Sequence, residues 1–137
     1  MSKYLFFMLF YILVSFSHET GLPEGLPRLK VLMFVSEENH HRTETAFTMA
    51  KSLLSSGHEV FIVLEGPSVR LAQREYKGKV PYEKTLSEIV RLGGRVYVCP
   101  YWGGKLGVKS LREGIEWANP QVIFPELADT RTKVMVW

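Results

Sequence analysis

Cysteine occurs once, at Cys99, in a setting that suits a working thiol as well as a buried one. Val96, Tyr97 and Val98 ahead of it read as a short β-strand. Pro100 behind it has no N–H to give to a strand ladder, so the strand ends there. Gly103, Gly104 and Gly107 predict an open loop, followed by a helix starting near Val108. A thiol acts as its thiolate, which a cation or a helix N-terminus favours, and Lys105 and that helix are candidate sources of positive potential. The alternative is a small hydrophobe closing a strand, since free cysteine is among the most buried residue types.

A second group is His40 and His41, within the polar run SEENHHR. A histidine from this run can serve Cys99 as general base or proton donor; otherwise the run is a solvated loop. Adjacent histidines point apart and no further ligand cluster accompanies them, so no metal site is predicted. The three glycines match neither the dinucleotide fingerprint nor the phosphate-binding P-loop, and no cofactor is predicted. Tyr101 and Trp102 read as an apolar lid or a subunit contact.

Five apolar runs are available to position these residues. Leu29 to Val35 and Glu59 to Leu64 are nearly continuous, as in strands buried on both faces. The strand before Cys99, then Gln121 to Phe124, then Lys133 to Trp137 complete the set. Between them, Ala46, Met49, Ala50, Leu53 and Leu54 form one helix face, with Thr43 or Thr45 as cap and Gly57 as stop. Ser68 to Tyr76 has a weak helical period. Leu86, Ile89 and Val90 mark a helix opened by Pro81 or Tyr82 and ended by Gly93 and Gly94. Val108, Leu111, Ile115 and Ala118 predict another, ended by Asn119 and Pro120. Pro125 to Thr132 has room for no more than about two helical turns. Strands alternating with helices predict an α/β fold on a parallel sheet, with ligands beyond the carboxyl ends of the strands. Ser36 to Arg42, Glu65 to Ser68 and Cys99 to Gly107 lie on that rim.

The chain has 137 residues, enough for one domain. Its 17 basic and 14 acidic residues are scattered, which gives no nucleic-acid footprint. The N-terminus differs from the rest. Lys3 precedes an apolar run from Tyr4 to Val14, and Ser15 and Ser17 suit a signal-peptidase site. The run is shorter than the roughly 20 residues of a membrane span. Residues 1–17 therefore read as a secretory signal, with an uncleaved anchor as the alternative. Residues 18–28 read as a linker and 29–137 as the folded domain. Export, to a periplasm in particular, sharpens the meaning of Cys99. Secreted domains carry cysteines in pairs, and one cysteine has no partner within the chain.

KVLMFVS, the helix around Ala46 and Met49, EVFIVLEGPSVRLA, GGRVYVC, the Gly107–Val108 pair and the closing KVMVW together resemble the DsrE/DsrF-like family. The resemblance implies a flavodoxin-like, DsrEFH-like three-layer α/β/α sandwich with a five-stranded parallel sheet. It implies homo-oligomers, trimers or hexamers, and a sulfur-relay role with Cys99 where sulfur-transfer members have their persulfide acceptor. Trp102 stands where many relatives have a second cysteine. Two readings follow. One is an exported sulfur carrier or sulfurtransferase that works through Cys99 on a thiol-bearing protein partner, with His40 and His41 managing protons. The other is a non-catalytic oligomeric binding module with Cys99 as core. A flavin electron carrier is disfavoured, because SEENHHR is acidic where a phosphate loop would stand.

Overall fold

Side chains along the first strand alternate between two cores. Val31, Met33 and Val35 join one buried cluster and Leu32 joins another. This strand is therefore buried on both faces, as its unbroken apolar run predicts. The computed structural model describes residues 27–76 and 81–137. The signal and nearly all of the linker read from the sequence lie outside the described residues.

The strands are β1 (Lys30–Val35), β2 (Glu59–Leu64), β3 (Arg95–Val98), β4 (Ile115–Trp117) and β5 (Thr132–Val136). They form one sheet in the order β4-β3-β2-β1-β5, and every pairing is parallel. The helices are α1 (His41–Ser55), α2 (Tyr82–Arg91), α3 (Pro100–Lys105) and α4 (Pro120–Ala128), with a 3-10 helix at Gly66–Ala72 after β2. The predicted α/β class and five-stranded parallel sheet are both present.

The hand of the crossovers explains the layers. From β1 to β4 the chain steps across the sheet in one direction. A right-handed crossover at each step puts the connecting helices on the same face. Phe47 and Ala50 of α1, Leu71 of the 3-10 helix, Leu86 and Ile89 of α2, and Trp102 of α3 all pack into that first core. The return from β4 to β5 runs the other way, and α4 lies on the second face, where Ile123 joins Leu32, Phe61, Val63 and Tyr97. Lys30 anchors α4 to β1 through Glu126 at 2.5 Å and Asp129 at 3.4 Å. At the amino end, the Leu29 N–H donates to buried His58 Nδ1 at 2.8 Å.

Several local expectations change. Residues 100–105 are a helix and not a loop, so Gly103 and Gly104 are helical. The helix expected at 108–118 is absent. Gly107 and Gly114 adopt φ of +77° and +79°, and Gln73 and Leu111 form an antiparallel bridge that holds the segment extended. Ile115 opens β4. The strand expected at 121–124 is instead the first half of α4. The Asn119 side chain accepts from the Gln121 N–H, and Pro120 occupies the first helical position, where its missing N–H does no harm. The cap of α1 is His40, not Thr43 or Thr45. Thr43 is buried and donates to the Glu37 carbonyl at 2.6 Å, and Thr45 donates to the His41 carbonyl at 2.9 Å. Ser68 lies in the 3-10 helix, which ends by Ala72, short of Tyr76.

Two stability outcomes follow. A Cβ on Gly103 would run into the Trp117 ring, with Cη2 at 2.8 Å, whereas one on Gly104 meets nothing. Gly103→Ala is expected to lose about 1–3 kcal/mol through overpacking. Gly104→Ala is expected to be neutral or stabilising, and urea denaturation of the pair checks both. Separately, hydrogen bonds from the Arg131 side chain and backbone, and secondarily Lys30, hold the Asp129 carboxyl well below the usual carboxylate range. A depressed carboxyl contributes stability that is full above its unfolded value, about 3.9, and is lost as pH falls below it. Asp129→Asn should flatten the acid limb of a stability-against-pH curve and leave its alkaline limb in place.

Candidate functional site

Cys99 has extended backbone, φ −62° and ψ 117°, and is the N-cap of α3. Its N–H still belongs to the sheet, donating to the Leu64 carbonyl at 2.9 Å, while its carbonyl accepts from the Gly103 N–H at 2.9 Å. One residue thus ends β3 and begins α3. Pro100 takes the first helical position, so the nearest free first-turn donors are the N–H groups of Tyr101 and Trp102. Such groups stabilise an anion placed at the cap. The thiol is partly exposed and belongs to neither buried cluster.

The position of Cys99 in the topology matters as much as its cap. β3 is followed by α3 on the first face and β4 by α4 on the second. Adjacent strands whose following helices diverge to opposite faces leave a crevice between their carboxyl ends. Cys99 stands at the β3 side of that crevice and Asn119, the cap of α4, at the β4 side. Trp117, at the end of β4, reaches back to cover Gly103 and so ties the two walls together.

The rung below the crevice pairs Leu64 with Val98, so Glu65 and Cys99 are the next residues on neighbouring strands. Glu65 accepts from the Ser36 hydroxyl at 3.1 Å. Buried Ser68 donates to the Val35 and Glu65 carbonyls at 2.6 and 2.8 Å, which fixes the turn after β2. Farther along the rim, Glu38 accepts from Arg70 at 3.1 Å and from the Tyr76 hydroxyl at 3.2 Å. Burial, then the Glu38 charge, pushes the Tyr76 hydroxyl up to about 12.

The residues singled out from the sequence divide as follows. His40 and His41 sit at the head of α1, beyond β1, with β2 between that strand and β3. His40 Nδ1 accepts from the Arg42 N–H at 3.2 Å, and the two imidazole rings, expected to point apart, instead lie with their centroids 4.0 Å from each other. Among the described residues neither histidine hydrogen-bonds Cys99. Lys105 is at the far end of α3, its Nζ 5.6 Å from the Tyr101 ring and 5.3 Å from the Trp102 ring. Its charge rests on those aromatics. Tyr101 is exposed, and Trp102 packs against the first core. Glu65 and Ser36 were not singled out from the sequence. The only signal for them was their place in the loops after β1 and β2. Among the described residues no group of three or more His, Cys, Asp or Glu side chains is arranged to hold a metal ion.

Known proteins share this architecture. A protein of unknown function from Methanobacterium thermoautotrophicum, MTH1491, superposes with a TM-score of 0.63 at 15% identity, over 77% of this chain and 98% of that one. The ychN protein of E. coli superposes with a TM-score of 0.62 at 14% identity, over 80% of this chain and 99% of that one. At such identities the likeness is one of fold. No curated protein matches the sequence. The model of the DsrE/DsrF-like family matches residues 30–123, from the first residue of β1 into α4. The chain belongs to the DsrE/DsrF-like family.

Proposed function

We propose that the protein takes up a sulfane sulfur on Cys99 as a persulfide and passes it to a partner thiol. Family membership supports a sulfur-relay-related role. The observation that carries the finer reading is partly exposed Cys99 at the carboxyl end of β3, where it caps α3. In the loading step the Cys99 thiolate attacks the outer sulfur of a donor persulfide. A new S–S bond forms at Cys99, the donor's S–S bond breaks, and its electron pair leaves on the donor thiolate, which takes up a proton. Unloading is the same exchange with the acceptor thiol as nucleophile, and neither step needs an outside oxidant. Trp102 occupies the place of a second thiol, so sulfur leaves only to another molecule. Glu65 and Cys99 both follow the Leu64–Val98 rung, and in this reading Glu65 takes the part first considered for His40 and His41.

Two features concern setting and assembly. The leader at residues 1–17 supports export, either with cleavage after Ser17 or as an anchored form. No described helix is long and apolar enough to cross a membrane. Among the described residues, Val122, Phe124 and Leu127 of α4 and Val134 and Val136 of β5 are exposed. Such exposure supports burial against further copies of the chain.

Intact-mass spectrometry after incubation with a sulfane-sulfur donor is expected to add about 32 Da, one sulfur atom, to wild type and not to Cys99→Ser. The same spectrum reads the mature N-terminus. An unmodified wild type, under conditions that load a known carrier, would defeat the proposal. Phe124→Glu is expected to shift the species seen by light scattering toward monomer. A wild type already monomeric at about 100 µM would remove the assembly, since at that concentration a micromolar interface is mostly occupied.

A further inference from the structure

A groove along the outer flank of α2, away from Cys99, gathers three arginines that the sulfur chemistry leaves unused. Its volume is about 880 Å³, and Arg74, Arg91 and Arg112 line it together with Ser87 and one carboxylate, Glu113. Among the described residues none of the three arginines is in a salt bridge. Arg112 Nη1 donates to the Ser87 hydroxyl at 3.3 Å, while its Nε is enclosed and has no hydrogen-bond partner. An enclosed guanidinium donor without an acceptor is costly, and more so beside other cations.

The groove is built from segments that hold one another. The Arg74 N–H donates to the Ser110 carbonyl at 2.9 Å, and the Arg112 N–H donates to the Ala72 carbonyl at 2.8 Å, on either side of the Gln73–Leu111 bridge. Arg91 ends α2. At the preceding residue, Gly114 passes so close to Val90 that a Cβ would lie 2.5 Å from its Cγ1. Backbone contacts thus set the segments that carry the three arginines around one space. Three positive charges against one negative leave a surplus of two. A phosphate carries about 1.5 to 2 negative charges at neutral pH, and its oxygens match the guanidinium fork.

We propose that this groove binds a phosphate dianion, either free or as a phosphate ester. Arg112, Arg74 and Arg91 line the space beside Ser87, whose hydroxyl accepts from Arg112 Nη1 and donates to the Glu83 carbonyl at 3.1 Å. The probes are inorganic phosphate and glycerol phosphate, titrated into the full chain at constant ionic strength. Calorimetry and thermal melting are the readouts, and sodium chloride is the control. Wild type is expected to bind with a dissociation constant on the order of 1 mM or below and to melt higher with phosphate. Arg112→Gln and Arg91→Gln are each expected to weaken binding at least about tenfold, with chloride without effect. Arg91 is exposed at a helix end, so its variant keeps the test alive if Arg112→Gln does not fold. Tighter binding of glycerol phosphate would identify an ester as the ligand, and equal binding would identify the phosphate group alone; both sustain the proposal. No binding by wild type, or binding that both variants retain unchanged, overturns it.

Discussion

The fixed hand of the parallel crossover is the constraint on which the rest depends. Three successive steps in one direction commit α1, the 3-10 helix, α2 and α3 to one face. The reversal after β4 commits α4 to the other. No side chain chooses this. It follows from strand order, and it opens the crevice between the ends of β3 and β4 where Cys99 stands. The protein therefore needs no elaborate loop to present its thiol. A strand that stops at a proline, beside a strand whose helix leaves on the opposite side, is enough.

The two faces are unequal as a result. Among the described residues the first carries four helical segments and a large core, whereas the second has one nine-residue helix over five strands. Ile123 supplies the apolar contact of α4, and Lys30, held between Glu126 and Asp129, supplies the polar one. Partly buried charges that bridge an element to the strand beneath restrict where it can lie, even when their net contribution to stability is small. The apolar residues that α4 and β5 leave exposed are the direct outcome of one helix covering a sheet this wide.

Much of this was legible in the sequence, and the rest failed for identifiable reasons. Continuous runs marked β1 and β2, and a 3.6-residue period marked α1 and α2, because both signals extend over many residues. β4 is three residues long and cannot display an alternation. Its Ile115 also fell in step with Val108, Leu111 and Ala118, so a helical spacing arose from an extended, glycine-flanked segment. Asn119–Pro120 is the pivot of that error. The pair ends a helix when read backward and caps one when read forward, and here it does the second. Cys99–Pro100 follows the same grammar, which is why the expected glycine loop is α3. The strand-end position of Cys99 was readable. That Glu65 follows the rung level with it was not, because register is a property of the sheet. Nor was the crevice, which requires knowing the face that each helix takes.

The brevity of β4 has a consequence for the thiol. β1 and β2 are joined by six paired positions, whereas β3 and β4 share only three, at the edge of the sheet. Local opening free energies follow how much hydrogen bonding and packing a segment must give up. The wall of the crevice opposite Cys99 is thus the cheapest part of the sheet to detach, and Trp117 resting on Gly103 is its latch. Transient fraying of this one edge would uncover partly exposed Cys99 further, with the β1–β2 centre of the molecule unmoved.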